Sequence, residues 1–259
     1  MKPTRFTEEM VDEYVRKGYW DTSVISDFWD RNAVLYPDKE AIVEENVKLT
    51  WYQAKKQIDR IALSLLELGI KRDEKIAVQL HNCAELFTFR LACEKAGIIA
   101  VTLLHNFRHA EVLSILRHTE AIGIVIPLEF RKFNYFKMIQ ETRTDLPSLK
   151  YIFVIGDDVP EGAISVKEMA EQPLEEKYPP DYLQKTKFSP FETFQIATTT
   201  GTTGMPKCVE FTSCVRQSTG RVIAKRLKMT GEDVLGAFAP VIAGGCFNEA
   251  YRAAPMVGA

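Results

Sequence analysis

The residues of this chain best suited to chemistry lie in one run, Thr198-Thr199-Thr200-Gly201-Thr202-Thr203-Gly204-Met205-Pro206-Lys207. Gly201 and Gly204 let the backbone take positive φ and approach a ligand closely. The threonine hydroxyls supply donors, Pro206 stiffens the exit and Lys207 adds a cation. Such a loop suits a polyphosphate, whose oxygens need several donors and a compensating positive charge. Its spacing, G-x-x-G-x-x-K, is neither the Walker A pattern G-x-x-x-x-G-K-[ST] nor the dinucleotide pattern G-x-G-x-x-G. That disfavours P-loop kinases and nicotinamide dehydrogenases, and the lack of an H-R-D catalytic loop disfavours other ATP phosphotransferases. The plain alternative is a flexible turn; strand-like sequence on both sides, at 194–197 and 208–211, argues against it.

The other polar residues offer less. Cys83, Cys93, Cys208, Cys214 and Cys246 are odd in number, with no C-x-x-C pair and no His at metal-ligand spacing, so no metal site is expected and the thiols read as reduced. His81, His105, His109 and His118 are scattered. His105 and His109 share i, i+4 spacing but lack a third ligand, and read as surface or helix-end residues. Trp20, Trp29 and Trp51 read as packing residues, because aromatics without basic partners make no nucleic-acid platform.

The elements that must position the loop form an alternating pattern between residues 40 and 155, with short β-branched runs separated by amphipathic stretches. Strands are expected at 41–43, 75–80, 98–104, 122–126 and 151–155. Thr50 is placed to cap a helix whose apolar residues Ile58, Ile61, Ala62, Leu65 and Leu66 fall on one stripe, with Gly69 as its stop. Further helices are expected at 84–96, ended by Gly97, around Val112, Ile115 and Leu116, and at 133–142. From 156 to 192 prolines and acidic residues accumulate, which predicts a surface connection with one short helix at 166–170. The fold class is therefore α/β, alternating strands and helices around a twisted, mostly parallel sheet.

At 259 residues and 46% hydrophobic content, the chain can bury a core without disulfides or metals. The 33 Lys+Arg against 35 Asp+Glu leave a net charge of −2, so no basic surplus points to nucleic acid. The N-terminus leads into Glu8-Glu9 rather than an apolar run, and the uncharged stretch 234–248 is too short and Gly-rich to span a bilayer. A soluble, cytoplasmic protein is expected.

Residues 199–207 closely resemble the T-[ST]-G-[ST]-T-G-x-P-K signature of the adenylate-forming superfamily: acyl- and aryl-CoA ligases, luciferases and peptide-synthetase adenylation domains. The likeness extends further. Phe6-Thr7-Glu8-Glu9 with Lys17-Gly18-Tyr19-Trp20 is similar to the opening of aryl-acid adenylating enzymes such as 2,3-dihydroxybenzoate ligases. Tyr36-Pro37-Asp38-Lys39-Glu40-Ala41 and Leu49-Thr50-Trp51 resemble an early family region, and residues 96–111, with Glu111, a second motif. Glu129-Phe130-Arg131, Phe133, Tyr135 and Val154-Ile155-Gly156 resemble the branch holding dihydroxybenzoate and cyclohexanecarboxylate ligases.

The resemblance implies the N-terminal part of an adenylate-forming large domain over residues 1–259. It also implies ATP-dependent activation of a carboxylic acid to an acyl-adenylate and then an acyl-CoA. ATP, magnesium and coenzyme A are the implied ligands, and Thr199, Thr200, Gly201, Thr202, Thr203, Gly204 and Lys207 the implied phosphate contacts. Ala243, Gly244 and Gly245 fall where the family shapes its acyl pocket.

Three departures stand out. Cys208 replaces the usual Gly after Lys207, and either crowds the loop base or points into the core; no adjacent base marks it as a nucleophile. Ala243 and Gly244 replace the family's His and, in dihydroxybenzoate ligases, an Asn that holds the aryl acid. Either the small residues open room for a different acid, or they only alter a helix start. The later Y-G-x-T-E and T-G-D motifs and the small mobile domain with its catalytic Lys are missing, so no catalytic residue is expected in this chain. A second reading is a catalytically incomplete fragment that at most binds nucleotide phosphates, and uncovered apolar surface would favour a homodimer.

Overall fold

The computed structural model describes residues 1, 6–199, 204–242 and 247–259. Two helices, α1 (Glu8–Arg16) and α2 (Ile25–Leu35), precede an antiparallel pair, β1 (Glu40–Val43) and β2 (Lys48–Thr50). Thr50 then caps α3 (Trp51–Glu67) as expected. Its Oγ1 accepts the Gln53 N–H at 3.2 Å while Gln53 Oε1 accepts the Thr50 N–H at 2.9 Å, a reciprocal box that satisfies two donors at the helix start.

The main sheet follows: β3 (Lys75–Val78), α4 (Ala84–Ala96), β4 (Ile99–Thr102), α5 (His109–Thr119) and β5 (Gly123–Pro127). A small hairpin, β6 (Glu129–Phe130) and β7 (Phe133–Asn134), leads to α6 (Tyr135–Thr142) and β8 (Tyr151–Ile155). Then come β9 (Ile164–Ser165), α7 (Val166–Glu171), α8 (Tyr182–Thr186), β10 (Thr193–Thr198), β11 (Cys208–Thr212), α9 (Ser213–Leu227) and α10 (Ala254–Val257), with a π-helical turn at Phe247–Ala253 before α10.

The sheet order is β11-β10-β4-β3-β5-β8-β9, and every neighbouring pair is parallel except β10 with β11. The chain runs from β3 to β4 on one side and then returns to β5 on the other. Right-handed crossovers therefore put α4 and α5 on opposite faces of the sheet. With both faces covered, Ile76, Val78, Val101, Ile124 and Ile126 are wholly buried.

Glycine ends α4 for a geometric reason. Gly97 has φ +72, and a Cβ there would meet the Thr186 carbonyl oxygen at 2.8 Å, so no other residue fits.

The expected helix at 133–142 starts later, because Phe133 and Asn134 pair with the preceding strand and the Asn134 side chain accepts the Lys137 N–H at 2.7 Å. Residues 156–192 also do more than connect. Ser165 caps α7, β9 extends the sheet edge, and Leu174 and Phe188 are buried in the interior. The tryptophans pack: Trp29 and Trp51 are 2% and 1% exposed and meet edge-on at 4.8 Å, a contact contributing about 0.5–1.5 kcal/mol beyond area burial.

α4 is covered on all sides, and its charges find internal partners. Lys95 Nζ sits 2.5 Å from Asp30 Oδ1 and 2.6 Å from Asp59 Oδ1, joining α4 to α2 and α3. Glu94 Oε1 accepts the Ser26 N–H at 2.7 Å near the start of α2. Burial pushes the Glu94 carboxyl up to about 7, against the opposing pull of the Ser26 hydrogen bonds.

Because the folded carboxyl binds its proton more tightly than the unfolded one, the stability it contributes is full below the unfolded value near 4.5. It is lost as pH rises through about 7. Between pH 5 and 8 the unfolding free energy from urea titration is therefore expected to fall, by an amount on the order of 3 kcal/mol for this group. Glu94→Gln should flatten that slope. An equally steep slope in the variant would remove Glu94 as its source.

Candidate functional site

β10, β4, β3, β5 and β8 point the same way, so the segments that follow them gather along one edge of the sheet. In open α/β sheets this carboxyl edge is where ligands bind, near the point at which strand order reverses. The threonine-glycine run sits there, as the connection between β10 and β11.

The base of that connection is closed by two hydrogen bonds. Thr199 N–H donates to the Lys207 carbonyl at 2.9 Å, and Lys207 N–H donates to Thr199 Oγ1 at 2.9 Å. Below it, Thr198 Oγ1 donates to the Thr102 carbonyl at 3.0 Å, and the buried Gln195 donates through Nε2 to Thr102 Oγ1 at 3.0 Å. These contacts lock β10 onto β4 directly under the loop.

Thr199, Gly204 and Lys207 are all exposed. Gly204 has φ +142 with open space around it, so its backbone conformation rather than crowding calls for glycine. The structure thus brings Thr199 and Lys207 together. Thr200, Gly201, Thr202 and Thr203 lie outside the described residues, as do Ala243, Gly244 and Gly245.

Cys208 pairs with Thr198 across the hairpin and packs, half-buried, against the core. Burial raises its thiol above the ordinary value, which keeps it protonated and unreactive. Of the two placements open from the sequence, the structure has the inward one.

The histidines are less scattered than their numbering suggests. His81, after β3, stacks on Phe130 with ring centres 4.0 Å apart, and His105, after β4, meets the same ring edge-on at 5.8 Å. Burial lowers both imidazoles, helped by the charge of Arg131 and by His105 for His81 and Arg108 for His105. Both are therefore neutral near pH 7. His109 is the first residue of α5 and pairs with Glu141 at the surface, so the i, i+4 spacing to His105 spans a helix end. Among the described residues no cluster of His, Cys, Asp or Glu is disposed to hold a metal ion.

Two residues at this edge carry no signal in the sequence: Asn82 and Gln195. Each acts through a partner far along the chain, so no local pattern marks it.

Residues 29–249 match the family described as AMP-binding enzyme. The chain belongs to the AMP-binding enzyme family. Its relatives include a medium-chain fatty-acid–CoA ligase of Escherichia coli (strain K12), 28% identical over 98% of this chain and 44% of that protein. Others are a salicylyl-CoA synthase / salicylate adenylyltransferase of a Streptomyces species (28%, 78% and 36%) and a 2,3-dihydroxybenzoate-AMP ligase of Bacillus subtilis (strain 168) (26%, 80% and 36%).

Among solved structures, apo MbtA of Mycobacterium smegmatis superposes with a TM-score of 0.85 at 22% identity, over 99% of this chain and 46% of that one. The anthranilate CoA ligase AuaEII in complex with anthranoyl-AMP gives 0.80 at 22%, over 92% and 44%. The chain thus spans less than half the length of these AMP-binding relatives, and its mostly parallel sheet is the fold they share over that span. No helix among its described residues is long and apolar enough to cross a membrane.

Proposed function

We propose that this chain carries the phosphate-binding part of an AMP-forming ligase, one that activates a carboxylic acid to an acyl-adenylate and passes the acyl group to coenzyme A. What supports this most directly is the hairpin at the carboxyl edge of the sheet, in which two hydrogen bonds join Thr199 to the Lys207 backbone and Thr199, Gly204 and Lys207 are exposed.

Those groups fit a polyphosphate. The threonine hydroxyl and backbone N–H groups donate, and Lys207 compensates charge without needing to be buried. When ATP is bound, attack of the carboxylate at the α-phosphate would expel pyrophosphate. The task of Thr199, Thr200, Gly201, Thr202, Thr203, Gly204 and Lys207 is to stabilise charge on that leaving group. The two hydrogen bonds at the hairpin base hold Thr199 against the Lys207 backbone before any ligand arrives.

Magnesium and coenzyme A belong to the same proposal, as does a cytoplasmic place of action. The described residues supply no set of ligands for the metal, so no step is assigned to them through it. Ala243, Gly244 and Gly245 are proposed to border the acyl group. Gly244 offers no side-chain amide to hold ring hydroxyls, which favours an acid other than 2,3-dihydroxybenzoate.

Titrating the chain with ATP and with pyrophosphate in a calorimeter tests the phosphate site. Saturable binding of both is expected, and heat of dilution alone would overturn the assignment.

The sequence alternative, a chain that binds nucleotide phosphates without completing the reaction, is favoured by one observation: the chain covers 36–46% of the relatives and structures compared above. Binding without product formation is its signature.

A further inference from the structure

Thr198 is the last residue of β10, and the two sides of the strand end differently there. Toward β11 the antiparallel pairing continues to Thr198 opposite Cys208. Toward β4 the parallel pairing stops one residue earlier, with Ala197 opposite Thr102. β4 itself ends at Thr102, and the next N–H, that of Leu103, turns away to the Val78 carbonyl of β3 at 3.0 Å.

β11 is the edge strand, so within the sheet the hairpin that carries Thr199 and Lys207 is joined to the other strands through β10 alone. At its upper end that joint is made by a side chain. Thr198 Oγ1 donates to the Thr102 carbonyl at 3.0 Å, one step beyond the last paired residue. Thr102 is held in its turn: it is 2% exposed, and its Oγ1 accepts the hydrogen bond from the buried Gln195 Nε2 at 3.0 Å. The anchor is thus fixed inside the sheet, and the hydroxyl that reaches it belongs to the residue directly before Thr199.

We infer that Thr198 is a positioning residue: its hydroxyl serves β4 and not the ligand, extends the β10–β4 joint by one residue and thereby sets where Thr199 and Lys207 stand at the sheet edge. The affinity consequence rests on the phosphate site proposed above; the grip on β4 does not. Valine matches the shape of threonine with a methyl in place of the hydroxyl. It would leave the carbonyl of the buried Thr102 without this donor, a loss larger than the net gain from forming the bond. Serine keeps the hydroxyl and gives up only the methyl.

Residue-resolved hydrogen exchange on the free chain tests the grip, with the amides of the β3–β5 ladder as internal reference. In Thr198→Val the amides of Thr199 and Lys207, which close the hairpin base, should exchange about five- to a hundredfold faster than in the parent chain, with the reference amides unchanged. Thr198→Ser should restore slow exchange. Should the valine variant fail to fold, Thr198→Ala carries the same expectation. Reference amides that speed up alongside would make Thr198 an ordinary structural contact and overturn the inference. So would equal Thr199 and Lys207 exchange in the parent and Thr198→Val, or a serine variant as fast as the valine one.

Pyrophosphate titrated against the same three chains reads the consequence for the site. Thr198→Val should bind at least about fivefold more weakly, because charge-assisted bonds depend on donors held in place, and Thr198→Ser should bind like the parent. Equal affinity in the parent and Thr198→Val overturns the positioning role. Weaker binding by Thr198→Val with parent-like exchange in the free chain would mean that the hydroxyl touches the phosphate itself, which also refutes it. If the parent chain binds no pyrophosphate although Thr199 and Lys207 exchange as expected, the phosphate assignment fails and the affinity half of the inference with it.

Discussion

Incubated with ATP, magnesium, coenzyme A and a panel of carboxylic acids, the 259-residue chain is expected to form AMP and thioester at least about a hundredfold more slowly than a complete ligase. Adenylate formation needs the α-phosphate, a metal and the attacking carboxylate held in line, and a misplacement near 1 Å already costs about two orders of magnitude in rate. The sequence has no Y-G-x-T-E or T-G-D segment to hold the adenine, ribose and metal. No described cluster of acidic, His or Cys side chains takes over the metal. What the chain does hold is the closed hairpin under Lys207, so phosphate binding and chemistry should separate cleanly. Mass spectrometry for AMP and acyl-CoA decides the matter. Turnover comparable to that of a full-length relative would mean that the groups for the chemistry are present here in a form the sequence does not reveal.

Lys207→Ala is expected to weaken binding of ATP and of pyrophosphate roughly tenfold to a hundred-and-fiftyfold, since a charge-assisted hydrogen bond contributes about 1.5–3 kcal/mol. The fold should survive. It is the Lys207 backbone, not its side chain, that closes the hairpin, through N–H to Thr199 Oγ1 and through its carbonyl to Thr199 N–H. The side chain is exposed and makes no ion pair with a described residue, so its loss leaves no buried partner stranded. Calorimetric titration gives the affinity change, and a thermal melt run beside it shows whether the protein is still folded. Parent-like affinity in a folded variant would remove Lys207 from the site and leave only backbone and hydroxyl donors to hold the phosphates. Because the lost contact is ionic, the gap between parent and variant should narrow as salt is raised.

Much of the scaffold was legible in the sequence because it is encoded locally. The Thr50 cap, the apolar stripe of α3, the glycine that must follow α4 and the β-branched runs of β3, β4, β5 and β8 each depend on residues a few positions apart. The phosphate loop belongs to the same class: Thr199 and Lys207 are joined by the hairpin that their own neighbours build, so their meeting needs no distant partner. Where local signals failed, a competing contact had won. Phe133 and Asn134 carry a helical pattern but pair with β6, and the charges of α4, which would suit a solvated face, are buried because Asp30, Asp59 and Ser26 come to meet them.

Other features exist only once the sheet is assembled. His81 and His105 share the Phe130 ring because β4, β3 and β5 lie side by side, an order that follows from the crossovers and not from any spacing in the chain. Asn82 meets Ala237, Ala239 and Val241 across a separation that no periodicity can bridge; only the return of the segment after α9 to this edge of the sheet brings them together. The chemistry of the phosphate loop was thus written in residue types at short range. The geometry around it was left to contacts that form only when distant parts of the chain are brought together.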